Sequence, residues 1–164
     1  MSGCSSHVTR LVSEKCTVRS RHTLRPTTPC LCTATLTTMP VGYDFDGDVI
    51  VLRAAGKYTT HEMKSAILDA LDDARLPPRA VMLFDLRESR SLQDRSADEV
   101  REMADFLASH GRRFGQRLAM VTASDLAFGL MRLGAVAAET GGLAAEVFRD
   151  IATAKAWLSR ETSY

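Results

Sequence analysis

The chain has 164 residues, 45% of them hydrophobic and 25% charged, and a formal net charge of +1. That length suits one ordinary domain with a core of its own, and the near-neutral balance excludes a chain that is basic throughout, as a general nucleic-acid binder would be. The total conceals two unlike pieces: residues 1–38 carry +4, from Arg10, Lys15, Arg19, Arg21 and Arg25 against Glu14, and the remainder carries −3.

All four cysteines, Cys4, Cys16, Cys30 and Cys32, fall within the first 32 residues. With them come Ser/Thr clusters, Pro26 and Pro29, and no apolar periodicity, so residues 1–38 are expected to be a disordered leader that buries too little surface to offset its ordering entropy. Its basic, acid-poor composition superficially suits an organelle transit peptide, but translation from upstream of a true start at Met39 is the favoured explanation, and no apolar stretch of the secretory type is present. Cys30 and Cys32 stand one residue apart with no second pair at zinc spacing, so no metal site is predicted. The domain, residues 39–164, is cysteine-free; it needs no disulfides, and a cytoplasmic location is expected.

Within the domain, Tyr43 and Phe45 alternate with Asp44 and Asp46, Asp46-Gly47 marks a turn, and Val49–Leu52 is an apolar run; together they predict a hairpin. Thr59 and Glu62 form a capping box ahead of Met63, Ile67, Ala70 and Leu71, predicting a helix from about Thr60 to Arg75. Pro77-Pro78 breaks the chain, and Ala80–Phe84 reads as a parallel strand covered on both faces.

A polar loop from about Asp85 to Arg95 leads to a second capping box, Ser96 with Glu99, and a second helix closed by Gly111. Leu118–Val121 repeats the buried-strand pattern, Ser124 caps a third helix running through Ala138, and Gly141-Gly142 stops it. Val147-Phe148 is a short final strand, and Asp150 caps a terminal helix with Ile151, Ala154, Trp157 and Leu158 on one face. The element order is ββαβαβαβα, an α/β fold with a mixed β-sheet: an N-terminal β-hairpin, then alternating helices and parallel strands.

That order, the acidic hairpin, the strand AVMLFDLR (80–87) and the closing phrase VFRDIATAKAWL (147–158) resemble the SpoIIAA-like branch of the STAS superfamily, which also covers STAS/SEC14-type proteins. The resemblance spans nearly all of residues 39–164. It implies a non-enzymatic regulatory module similar to anti-sigma factor antagonists, which bind a kinase partner and are switched by serine phosphorylation after the third strand. Those relatives run from strand to helix through Asp-Ser-Gly-Leu. Here Asp85 is followed by Leu86 and a longer, glycine-free loop.

That loop leaves the carboxyl end of a central strand, where open α/β sheets place their ligand sites. Asp85, Arg87, Ser89, Arg90, Ser91 and Ser96 are therefore the candidate regulatory residues, with Arg87, Arg90 and Arg95 expected to offer guanidinium forks to a phosphate or carboxylate. Against this stands a plain surface reading: Ser96 as a cap, and the arginines offset by Glu88, Asp94, Asp98 and Glu99.

No catalytic residue and no cofactor are predicted, because the domain holds only His61 and His110 and no cysteine. Gly56-Lys57-Tyr58-Thr59 lacks the glycine and hydroxyl positions of a phosphate-binding loop, and Asp44, Asp46 and Asp48 lack the glycine and closing glutamate of a calcium loop.

The third helix is unusually apolar, through Leu126, Phe128, Leu130, Met131, Leu133 and Val136, yet too short and charged to span a membrane. Packing against the terminal helix and Trp157 is the favoured explanation, with Gly129 and Gly134 allowing close approach; a homodimer comes next. The SEC14 side of the resemblance implies lipid or isoprenoid binding in some relatives. The runner-up function is accordingly a carrier or sensor of a lipid or other apolar small molecule, lined by Phe128, Met131 and Trp157. A protein partner, kinase or regulator, is the primary expectation, and nucleic acid is not expected.

Overall fold

The computed structural model describes residues 39–160, so the readings of the leader, its disorder and its thiols fall outside the described residues. Among those described, β1 (Val41–Asp46) and β2 (Val49–Ala54) form the expected antiparallel hairpin, Asp46 pairing with Val49 across a two-residue loop. Gly47 occupies that loop at φ +59°, a left-handed conformation that glycine reaches without strain.

The chain continues through α1 (Thr60–Asp72), β3 (Val81–Asp85), α2 (Ala97–His110), β4 (Arg117–Val121), α3 (Asp125–Thr140), β5 (Ala144–Phe148) and α4 (Ile151–Leu158). Both predicted capping boxes are present: Thr59 and Ser96 each accept from the backbone N–H three residues on, while Glu62 and Glu99 reach back. Helix α1 stops before Arg75 because Asp73 turns to extended backbone, and its carboxylate takes the Arg75 N–H at 2.8 Å, a local bond that competes with the helix. Gly111 ends α2 without a left-handed cap; at φ −53° it leads into a 3-10 turn, and reversal comes later at Gly115 and Gln116, φ +63° and +55°.

The strands lie in the order β1-β2-β3-β4-β5, with every pair after the hairpin parallel. A parallel sheet built in one direction sends all right-handed crossovers to the same face. Accordingly α1, α2 and α3 cover one side, over Ile50, Leu52, Met82, Phe84, Leu118 and Met120. The alternate residues Val51, Leu83, Ala119 and Val121 meet Ala154 and Leu158 of α4 on the other side.

This arrangement corrects the expected packing of α3. It lies against α2 and β5, while α4 and Trp157 occupy the opposite face of the sheet. Small residues let α2 and α3 approach closely: a Cβ on Gly134 would sit 2.9 Å from Val100 Cγ1, and one on Gly141 would sit 2.5 Å from Ala108 Cβ. Gly129 has open space around it, so it plays no part in that approach.

Candidate functional site

The carboxyl ends of β2 and β3 release two loops, residues 55–59 and 86–96, that deliver the amino ends of α1 and α2 to one region. They are stitched together by backbone and side-chain bonds. Gly56 N–H donates to the Glu88 carbonyl at 2.9 Å, and Arg90 N–H donates to the Gly56 carbonyl at 2.8 Å, extending the parallel pairing by one bridge between Gly56 and Ser89. Gly56 adopts φ +67° to allow this.

Tyr58 is the hub, buried at 7% exposure. Its N–H donates to Ser91 Oγ at 2.7 Å, and Ser91 Oγ donates to its carbonyl at 2.9 Å. Its phenol oxygen accepts from Ser89 Oγ at 3.1 Å, and its ring lies 5.1 Å beneath the Arg95 guanidinium. Burial pushes the Tyr58 phenol above its ordinary range. Sequence reasoning passed over Tyr58; the available signal was a large aromatic placed directly before a helix cap, in a loop adjacent to the candidate one.

The six candidate residues are brought to one loop but not to one binding centre. Arg87 pairs back with Asp85 through two bonds, Nε to Oδ1 at 2.8 Å and Nη2 to Oδ2 at 2.9 Å, and holds that carboxyl below the usual carboxylate range. Arg90 is exposed and, among the described residues, makes no ion pair. Arg95 turns inward, its side chain 12% exposed, donating to Thr60 Oγ1 and the Tyr58 carbonyl and approaching Glu99 to 3.8 Å. Three guanidinium groups bound for three different places do not form the anion fork that their spacing suggested. Ser96 is exposed but engaged in its capping box.

The apolar trio is likewise divided. Phe128 lies under the Arg149 guanidinium at 4.3 Å, Met131 is buried in the core beneath α2, and Trp157 packs on Phe148 and Arg117 across the sheet. Among the described residues, Met131 and Trp157 belong to core clusters on opposite faces of the sheet.

Two other features adjoin the loop. One is a shallow exposed groove in which Leu92, Gln93 and Arg95 meet Leu126, Leu130 and Leu133 of α3. Leu126 is 63% exposed, and Val136, ten positions or a little under three turns further along α3, is 60% exposed.

The other is an apolar cavity of about 60 Å³ between the sheet and the helices above it. Phe84, Leu118 and Met120 form its floor, Val100, Ala104 and Leu107 one wall, and Met131, Gly134 and Ala138 another.

The described residues contain no group of three or more His, Cys, Asp or Glu placed to hold a metal ion, and no helix long and apolar enough to cross a membrane. What the fold and loop define is an α/β domain whose distinctive surface is a structured βα loop beside an exposed helix. The sequence matches the SpoIIAA-like family over residues 49–159, and the chain belongs to that family. Domains of this kind are generally non-enzymatic regulatory modules that interact with protein partners. No curated protein and no solved structure matches the chain.

Proposed function

We propose that this domain is a regulatory protein-interaction module that docks a protein partner through the 86–96 loop and the adjoining α3 surface. The observation that carries the reading is the groove joining Leu92 of the loop to Leu126, Leu130 and Leu133 of α3. A helix that buries one side on α2 and still exposes Leu126, with Leu130 and Leu133 only partly buried, has apolar surface left over, and such surface beside a loop favours a partner. The partner chemistry that fits is an amphipathic helix offering its apolar stripe to the leucines.

Serine phosphorylation is the proposed switch, and Ser89 is the residue best suited to it. Its hydroxyl is half-buried and makes one bond, to the Tyr58 phenol. Ser91 is buried and bonded on both sides, so a phosphoryl group of about −2 charge there would dismantle local structure, and at Ser96 it would be repelled by the Glu99 carboxylate 3.1 Å from the hydroxyl. At Ser89 the added charge would break the tyrosine bond and push the loop from α1, altering the groove without unfolding the domain.

The test uses full-length protein from the cells that naturally make it. A partner recovered with it is purified and titrated against wild type and the Leu126→Asp/Leu133→Asp variant, and peptide mapping locates any phosphoryl group. A binding constant weakened tenfold or more in a variant that keeps the wild-type Tm supports the surface. Unchanged affinity would remove it, and a phosphoryl group found only at Ser91 or Ser96 would remove Ser89 as the switch.

The carrier reading lined by Phe128, Met131 and Trp157 is not favoured, because those side chains sit on different faces of the domain.

A further inference from the structure

We propose that the cavity beneath α2 binds a neutral, apolar molecule of only a few heavy atoms, and that its occupancy is felt by the 86–96 loop. This does not rest on the docking of a protein partner.

Size sets the ligand class. The cavity measures about 60 Å³, against roughly 150 Å³ for a cavity that takes benzene or xenon and roughly 300–1,000 Å³ for pockets holding drug-sized ligands. A lipid chain or isoprenoid is far too large. A short hydrocarbon or a single heavy noble-gas atom fits once the walls relax, and four of the lining residues, Met63, Met103, Met120 and Met131, are flexible thioethers able to relax.

Charge sets the rest. The cationic group at the cavity, Arg95, already gives its protons to Thr60 Oγ1 and the Tyr58 carbonyl and faces the Glu99 carboxylate. An anionic ligand would therefore have to displace existing partners, whereas a neutral one need not.

Arg95, Glu99 and Met103 are the lining residues that also reach solvent, so entry lies between the first turn of α2 and Tyr58. Tyr58, Leu86, Leu92 and Arg95 line the cavity and also build the loop region. A ligand that shifts Tyr58 thereby shifts the bonds to Ser89 and Ser91.

Xenon is the probe, applied under pressure to full-length protein carrying ¹³C-labelled methionine methyls and ¹⁵N-labelled amides. The expected result is saturable shifts at Met63, Met103, Met120 and Met131 that spare the exposed Met39, with the Ser89 and Ser91 amides following the same saturation curve. Filling the cavity with Ala104→Leu, or with the milder Ala138→Val, should abolish them. Absence of saturable methionine shifts in the wild type overturns the site, as do shifts that persist in a folded, filled variant. Methionine shifts with unmoved Ser89 and Ser91 amides overturn the coupling.

Discussion

The Ser91 hydroxyl holds both backbone polar groups of Tyr58, accepting its N–H at 2.7 Å and donating to its carbonyl at 2.9 Å. One side chain thus joins the β3–α2 loop to the loop before α1, across 33 positions of sequence. Ser91→Ala leaves the buried Tyr58 N–H without a partner and its carbonyl with the Arg95 guanidinium alone, at a cost of about 1–3 kcal/mol. Urea unfolding should register that loss, and amide exchange at Tyr58 should rise more than at the core strands. A variant as stable as wild type would show that the two loops do not depend on this bond.

A glycine within α3 and the glycine that caps it separate a packing role from its absence. A methyl at Gly141 would meet Ala108 Cβ at 2.5 Å, an atom fixed to the α2 backbone, so Gly141→Ala should destabilise by about 1–3 kcal/mol. Gly129 faces open space inside α3, and Gly129→Ala should stabilise by about 0.5–1 kcal/mol through helix propensity. Thermal melts of the two variants should move in opposite directions.

Asp73 binds the end of α1 to the hairpin. Its carboxylate pairs with Arg75 at 2.7 Å and accepts the Tyr43 hydroxyl at 3.1 Å, and the Arg75 bonds hold its pKa well below the usual value. A carboxyl depressed in the folded state contributes stability that is present above its unfolded pKa of about 3.9 and lost as pH falls through the folded value. Wild type should therefore lose Tm below about pH 4. Asp73→Asn should have a lower Tm than wild type at pH 7, and the gap should narrow steadily in acid. A gap independent of pH would mean that shape, and not charge, is what the aspartate supplies.

Arg117 secures α4 on the far face. Its guanidinium donates to the Leu158 carbonyl at 3.1 Å and to the carbonyls of Trp157 and Arg160, and stacks 4.5 Å from the Trp157 ring. Those carbonyls lie in the last turn of α4 and just past it, where a cation also complements the helix dipole. Arg117→Ala should cost about 1–2 kcal/mol and red-shift the emission of Trp157, the chain's single tryptophan. Arg117→Lys should recover only part of the loss, since an ammonium lacks the planar fork.

The elements were legible wherever a local rule governed them. Thr59 with Glu62 and Ser96 with Glu99 announced both capping boxes, and the apolar runs at Ala80–Phe84 and Leu118–Val121 announced buried parallel strands. What stayed hidden depends on which face of the sheet receives each helix. The amphipathic faces of α3 and α4 look alike in sequence, and only the β1-to-β5 order separates Met131 from Trp157. The loop was located by its length and its place after β3, but its arginines were not interpretable. Arg87 folds back on Asp85 two residues away, whereas Arg95 reaches Thr60 across 35 positions, and composition does not distinguish those fates.

The sequential strand order also bears on how the domain is made. Each parallel strand pairs with the strand synthesised just before it, so an emerging chain can add β3, β4 and β5 in turn without holding a gap open for a later insertion. Helices α1 to α3 can settle on their side as each pair forms. The other side of the growing sheet, with Leu83, Ala119 and Val121, stays uncovered until α4 leaves the ribosome. Loss of the last dozen or so residues would leave that face open and sticky, and truncated products would be drawn toward aggregation or chaperones while the rest of the sheet was already complete.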